Sequence, residues 1–168
     1  MIDEEQTARD VRMRLVDVGG RTSQDLGLGR IVGQILVYLY LSESKKSLDE
    51  IGEDLELSKA AVSIAARQLE RLGLLVRAWK KGDRKAYYRT ADNIATALRQ
   101  GMLVFFSQKI EGLSTELNHA LVELKDVDQE STVKSSERDF LLSRVSRAHQ
   151  LGDRASKLLR NPIIQRFV

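Results

Sequence analysis

Apolar residues recur at intervals of three or four positions along much of the chain, the spacing that places them on one face of an α-helix. This pattern predicts a first helix over 3–18, where it is carried by Ala8, Val11, Leu15 and Val18. Glycine, serine and threonine residues then predict a break over 19–29. A second helix with one apolar face is predicted over 30–41.

Side chains that cap helices mark the next two elements. Ser47, with Glu50 three residues later, forms a capping-box pattern that predicts a short helix after Ser47. Ser58 is a second N-cap residue, and the helix that follows it is predicted to end at Gly73. Five apolar residues of that helix are predicted to face inward: Val62, Ala65, Ala66, Leu69 and Leu72.

The hydrophobic period changes after residue 73. Two short strands are predicted over 75–79 and 86–90, and the polar, glycine-containing segment between them predicts a hairpin turn. A helical period returns from residue 92, a polar loop is predicted over 126–135, and a last helix is predicted to begin near Ser136. The tail, 161–168, contains Pro162 and is otherwise rich in apolar residues.

The composition limits the class of protein. The 168 residues are 42% hydrophobic and 30% charged, which is typical of a globular chain. The absence of cysteine excludes disulfides and thiolate metal sites. The longest apolar run, 35–41, is too short to span a membrane, and the acidic N-terminal residues do not resemble a secretory signal. We therefore expect a cytoplasmic protein with no membrane partner.

Positive charge is concentrated in one part of the chain. The net charge of the whole chain is +3, whereas 58–90 contains nine Lys or Arg residues and two acids and therefore carries +7. A charge run alone is usually a solvated face, but a local basic region combined with the elements predicted here favours a nucleic-acid partner.

The two short helices have the features of a helix-turn-helix. Gly52 provides a small residue where the helices would cross closely. Apolar residues that would hold the two helices at a fixed angle are Ile51, Leu55, Leu57 and Val62. Many such motifs carry glycine in the turn, where this chain has Glu56, so the turn must accommodate a side chain.

The second helix of this motif is predicted to read DNA. Small residues near its N-terminus would allow a close approach to the major groove, and nearby cations would reach bases or phosphates. Its predicted contacts are Ser58, Lys59, Ala60, Ser63, Ile64, Arg67 and Arg71. The hairpin would lay cations on phosphates and place an arginine in the minor groove, through Lys80, Lys81, Arg84 and Lys85. Asp83 would hold Arg84 or a neighbour in place.

Residues 27–92 resemble the MarR-like winged-helix regulators, and among them the GbsR subgroup. The resemblance is carried by the segment 29–33, by 47–74 and by the hairpin residues 79–88. It implies a homodimeric transcription factor, often a repressor, whose terminal helices form the dimer interface. Some members of the subgroup sense choline-like ligands through aromatic residues, which implies a small-molecule effector. Residues 93–168 are similar only in being helical.

The sequence thus predicts a mainly α protein with a winged helix-turn-helix domain over 28–91, a small β-hairpin wing and long flanking helices. An N-terminal helix and linker over 1–27 and a helical region over 92–168 are expected to serve dimerisation. The predicted function is sequence-specific binding of double-stranded DNA by a transcriptional regulator. An architectural or RNA-binding protein and a protein-interaction adaptor remain alternatives.

Other kinds of site find little support in the sequence. Gly27, Gly29 and Gly33 have the wrong spacing for a dinucleotide-binding loop, and no predicted strand precedes them. His119 and His149 lie on different predicted helices, which does not suggest a metal site. We find no pairing of a nucleophile with a base, and we therefore expect no enzymatic activity, no metal and no cofactor.

Overall fold

The structure, a computed structural model, describes residues 4–130, 136–159 and 161. These residues fall into two compact units, which divide between Gly101 and Met102. The elements in chain order are α1 (Glu4–Asp25), α2 (Arg30–Tyr40), β1 (Lys46–Ser47), α3 (Leu48–Asp54), α4 (Lys59–Arg71), β2 (Leu75–Ala78), β3 (Tyr87–Thr90), α5 (Ile94–Glu130) and α6 (Ser136–Leu159). Helices dominate, so the mainly α class predicted from the sequence is confirmed.

The first helix is longer than the sequence pattern predicts. α1 continues through Gly19 to Asp25, so its predicted end at residue 18 and the start of the predicted break are wrong. The physical reason is close packing on α2. A Cβ on Gly19 would be 2.3 Å from Cγ2 of Val37, and a Cβ on Gly33 would be 2.2 Å from the Gly19 carbonyl oxygen. Glycine permits this approach, and the packing outweighs its low helix propensity.

The predicted helix caps are present. Ser47 Oγ accepts a hydrogen bond from Glu50 N at 3.3 Å, and Glu50 Oε2 accepts one from Ser47 N at 2.7 Å, which completes the capping box of α3. Ser58 Oγ accepts a hydrogen bond from Ala61 N at 3.2 Å at the start of α4. Beyond the end of α4, Gly73 has a φ of 71°, the left-handed conformation of a glycine that terminates a helix.

The core of the first unit is built mainly from the first four helices. Its fully buried side chains include Val16, Ile35, Ile51, Val62 and Leu69. All five apolar residues predicted to face inward from α4 and its C-terminal end are buried, which confirms the predicted orientation of this helix. α5 approaches the same core at Gly101, because a Cβ there would be 2.8 Å from the Leu72 carbonyl oxygen.

Three short strands form an antiparallel sheet in the order β1-β3-β2. β2 and β3 are the predicted hairpin, with Ala78 opposite Tyr87. β1 pairs with the other edge of β3, where Ser47 lies opposite Tyr87. The sequence pattern does not predict β1, because two residues are too few to show an alternating period.

The second unit consists of helices. α5 extends to Glu130, so the predicted loop is wrong over 126–130, whereas 131–135 lies outside the described residues. The segment 126–130 contains neither glycine nor proline, so it includes no residue that ordinarily ends a helix. α6 begins at Ser136, as predicted. α5 and α6 approach closely at Gly152, where a Cβ would be 2.8 Å from Ser114 Oγ.

The surface of the long helices is notable for its apolar side chains. Those that remain exposed include Val11, Leu15, Val18, Leu113, Val122, Phe140, Leu141, Leu151 and Leu158. Within the described ranges, none of the helices combines the length and apolar character that a membrane crossing requires. In the same part of the chain, no three His, Asp or Glu side chains gather in a way that could hold a metal ion. The predicted apolar tail is described only at Asn161.

Candidate nucleic-acid interface

α3 and α4 are joined by a tight turn. A Cβ on Gly52 would be 2.9 Å from the Leu57 carbonyl oxygen, and Leu57 N donates to Gly52 O at 2.8 Å. Gly52 therefore permits a close approach, although its nearest neighbour is the backbone of the turn. Glu56 lies in this turn with a φ of 54°, a left-handed conformation that favours glycine. The turn accommodates the Glu56 side chain, as predicted, at the cost of backbone strain.

α4 carries the first group of predicted contact residues. Those exposed to solvent are Ser58, Lys59, Ala60, Ile64, Arg67 and Arg71, while Ser63 is half-buried. Ile64 is 61% exposed although it is apolar, so its side chain is available to a partner. Arg67 Nε donates to Ser63 O at 3.2 Å, which places the guanidinium group along the outer face of the helix.

The hairpin loop, 79–86, carries the second group of predicted contact residues. Lys80, Lys81, Arg84 and Lys85 are all exposed. Asp83 N donates to Lys80 O at 3.1 Å, and Gly82 has a φ of 83°, so these residues form the tight turn at the end of the hairpin. The loop thus presents four cations around one short turn.

Asp83 holds the hairpin loop in shape. Its carboxylate accepts a hydrogen bond from Lys85 N at 2.8 Å and another from Tyr87 Oη at 2.6 Å. The bond from Tyr87 is the main cause of a lowered pKa at Asp83. The same bond is the main cause that raises the pKa of Tyr87 to about 12. Asp83 therefore holds neighbours of Arg84, which is one of the two arrangements predicted for it.

A carboxylate of α3 joins α4 to the hairpin loop. Asp49 Oδ1 lies 2.8 Å from Lys59 Nζ, and Asp49 Oδ2 lies 3.2 Å from Lys85 Nζ. Hydrogen bonds from Lys59 and then Lys85 lower the pKa of Asp49, and the bond to Asp49 raises the pKa of Lys85. Cations predicted on two separate elements are thus adjacent in the structure. Sequence reasoning missed Asp49, because both of its partners are distant along the chain.

Cations also lie against aromatic rings at the base of the hairpin. The Arg77 guanidinium carbon lies 5.0 Å from the centre of the Trp79 ring, and Trp79 is 63% exposed. Lys45 Nζ donates to Trp79 O and lies 5.9 Å from the centre of the Tyr87 ring. The contacts of Lys45 tie the hairpin to the segment that precedes β1.

A cavity of about 370 Å³ lies in the first unit beside α1. It is lined by Glu5, Ala8, Arg9, Arg12, Met13, Tyr38 and Asp54. Tyr38 Oη donates a hydrogen bond to Asp54, and Lys46 Nζ lies 3.6 Å from Asp54 Oδ2. Burial, followed by the bond to Asp54, raises the pKa of Tyr38 above its ordinary value of 10.0.

A helix-turn-helix followed by a two-stranded wing defines the winged-helix class of protein. A crystal structure described as a transcriptional regulator is similar over 87% of this chain and 95% of its own, with a TM-score of 0.51 and 22% identity. At this identity the likeness shows the fold alone, which is a winged helix.

Two further solved structures are similar to the chain. A mutant of S. aureus MepR bound to an oligodeoxyribonucleotide matches 88% of this chain and 96% of its own, with a TM-score of 0.41 and 16% identity. Transcriptional regulator Tm0710 from Thermotoga maritima matches 78% of this chain and 97% of its own, with a TM-score of 0.41 and 24% identity. No protein-family model and no curated protein sequence matches the chain.

Proposed function

We propose that the chain is a sequence-specific DNA-binding regulator of transcription, which contacts the duplex through α4 and the hairpin loop. The observation that carries this proposal is the position of Asp49, which brings Lys59 of α4 next to Lys85 of the loop. The cations of the two elements therefore belong to one surface. A helix in the major groove together with cations on the adjacent phosphates is a common way to bind duplex DNA.

The two elements would have different roles on DNA. Ser63 and Arg67 of α4 can form hydrogen bonds to base edges, and Ala60 allows the helix to approach them closely. Lys81 of the loop suits a phosphate, which any sequence provides. Arg84 suits a narrow minor groove, whose negative potential attracts arginine.

Selection of bound fragments from the host genome with the purified chain tests this function. On a selected site, Ser63→Ala and Arg67→Ala should each weaken binding by about 1–3 kcal/mol and leave random duplexes little affected. Arg14→Ala removes an exposed arginine from α1, outside the proposed DNA-binding surface, and is the matched control, which should leave the ratio of the two affinities unchanged.

Four results would point elsewhere. Equal losses on selected and random duplexes would show that α4 does not read bases through Ser63 and Arg67. Selection without a common sequence would favour an architectural protein, and tighter binding to RNA than to duplex DNA would favour an RNA-binding protein. A chain that binds neither nucleic acid but retains a protein through its C-terminal helices would favour an adaptor.

We also propose that the protein is a homodimer and, from its resemblance to MarR-like proteins, a repressor in the cytoplasm. Exposed apolar residues on both terminal helices support the dimer, among them Leu15 and Val18 of α1 and Leu151 and Leu158 of α6. Burial of such faces against a second copy removes apolar surface from water. Sedimentation at micromolar concentration should give a dimer, and a monomer that binds one half-site tightly would contradict it. A reporter gene behind a selected site should be silenced by the chain.

We propose the cavity beside α1 as the site of a small-molecule effector. Its lining combines the cationic Arg9 and Arg12 with the carboxylates of Glu5 and Asp54, and the Tyr38 hydroxyl bonds to Asp54. Such a balanced set of charges suits a small polar compound. Calorimetric titration with choline, glycine betaine and benzoate tests the site, and any binding heat should be lost in Arg12→Ala. Heat that persists in this variant would place the ligand elsewhere.

A further inference from the structure

Both lysines held by Asp49 belong to the proposed DNA-binding surface. Lys59 begins α4, Lys85 lies in the hairpin loop, and the carboxylate gives one oxygen to each of them. The side chains of Lys59 and Lys85 are 71% and 59% exposed, whereas that of Asp49 is 34% exposed. The Asp49 carboxylate is therefore less exposed to solvent than the two lysine side chains that it pairs with.

A carboxylate in this position competes with any other anion for the same lysines. An exposed ion pair contributes only about 0–1 kcal/mol, so a DNA phosphate can replace the carboxylate as the partner of either lysine. Together the three residues carry a net charge of +1, and without the carboxylate the two lysines would carry +2. Affinity for DNA and its dependence on salt both rise with the number of phosphates that a protein neutralises.

We propose that Asp49 is an internal competitor with DNA phosphates for Lys59 and Lys85, and that it thereby limits the sequence-independent part of the DNA affinity. This inference rests on the proposed function, because it requires that a duplex bind to this surface. With the phosphate contribution reduced, contacts between α4 and the bases account for a larger share of the binding free energy.

Fluorescence anisotropy of the full chain on a random duplex, at several salt concentrations, tests this role without knowledge of the operator. Asp49→Asn keeps the size of the side chain and removes its charge. It should bind the duplex about 3–10-fold more tightly near 0.1 M salt, and its log–log salt slope should be steeper by about one unit. Asp49→Ser is a second neutral variant with a different side chain, and it should give the same gain.

Two controls separate local competition from a change in overall charge. Glu53→Gln removes an exposed carboxylate from the next turn of α3 and should give a clearly smaller gain. In a chain that also carries Lys59→Gln and Lys85→Gln, Asp49→Asn should improve binding no more than Glu53→Gln does. Thermal unfolding of each variant shows that it is folded at the temperature of the assay.

Several outcomes would overturn the role of Asp49. Weaker binding by both neutral variants would mean that Asp49 positions the lysines for DNA instead of competing for them. Affinity equal to that of the wild type, or an equal gain from Glu53→Gln, would mean that no local competition occurs. If the wild-type chain binds duplex DNA but the variants give one of these results, the role of Asp49 is wrong and the proposed function stands. If neither the wild type nor the variants bind duplex DNA, both the role of Asp49 and the proposed function are wrong.

Discussion

The carbonyl oxygen of Gly19 lies in the space that a side chain on Gly33 would occupy, since a Cβ on Gly33 would be only 2.2 Å from that oxygen. The same Cβ would be 2.4 Å from the Cβ of Ser23. Neither of these atoms is the end of a flexible side chain, so a larger residue would require the two helices to separate. α1 and α2 therefore pack backbone against backbone at this point.

Gly33→Ala should accordingly destabilise the protein. We expect the free energy of unfolding to fall by about 1–3 kcal/mol, the usual cost of overpacking a close contact. Urea unfolding followed by circular dichroism measures the change. Gly112→Ala is the control, because no described atom beyond its chain neighbours and the nearby backbone of its own helix lies within 4 Å of its Cβ position. This substitution should raise the free energy of unfolding by about 0.5–1 kcal/mol. Unchanged stability in Gly33→Ala would show that α1 shifts freely on α2.

The turn of the helix-turn-helix offers a stabilising substitution. Glu56 has a φ of 54°, and a left-handed conformation costs a residue with a Cβ roughly 1–2 kcal/mol. Glu56→Gly relieves this strain but gives the unfolded chain more freedom, so we expect a net gain of about 0.5–1 kcal/mol in the free energy of unfolding. Glu56→Ala keeps the Cβ and should show no comparable gain. If alanine stabilised as much as glycine, the cause would be the lost carboxylate and not the backbone.

The hydrogen bond between Tyr87 and Asp83 predicts a dependence of stability on pH. Because the pKa of Asp83 is lowered in the folded state, its contribution to stability is present at neutral pH and is lost as the pH falls through that lowered pKa. The contribution of Tyr87 is present below its ordinary pKa of 10.0 and is lost as the pH rises through about 12.

Tyr87→Phe should remove the contribution of Tyr87 and reduce that of Asp83, which keeps its bond from Lys85 N. The pKa of Asp83, measured by NMR, should return towards its ordinary value, and the ultraviolet titration should lose one phenol that ionises near pH 12. Tyr40→Phe is the control, because it removes an exposed tyrosine that lies outside this loop. An unchanged pKa of Asp83 in Tyr87→Phe would mean that the bond has little effect on the loop in solution.

The hairpin loop predicts two different responses to the loss of a cation. Arg84→Ala should weaken binding and reduce any preference for A·T-rich flanks, where the minor groove is narrow. Lys81→Ala should weaken all duplexes alike and lower the salt slope by about one unit. Fluorescence anisotropy on duplexes that differ only in their flanks distinguishes these effects. If the cations of the loop only keep the hairpin soluble, both variants should have the affinity and the salt slope of the wild type.

Features that depend on neighbouring residues could be predicted from the sequence. The caps at Ser47 and Ser58 require only a side chain and an amide three residues away, so the pattern itself contains the whole interaction. Gly73 was predicted to end α4 for a similar local reason, since few residues other than glycine adopt its φ readily. The inward face of α4 followed from its apolar period.

Features that depend on residues distant along the chain could not be predicted in this way. From its neighbours in the sequence, Gly19 is expected to interrupt a helix. Its close packing against α2, which keeps it helical, exists only in the folded chain. In the sequence, Asp49 is one of several acidic residues of α3 and nothing nearby distinguishes it. Its two partners, Lys59 and Lys85, belong to the next helix and to the hairpin loop. The structure shows how far each predicted contact residue is exposed, whereas the contacts of these residues with DNA remain a prediction.

Ser47 belongs to two elements at once. Its backbone pairs with Tyr87 in the sheet, and its side chain caps α3. Tyr87 in turn holds Asp83 in the hairpin loop. The first turn of α3 is thus linked to the hairpin loop through a helix cap, a strand pairing and a side-chain hydrogen bond. We therefore expect the hairpin loop and α3 to keep their relative position when either of them contacts a partner.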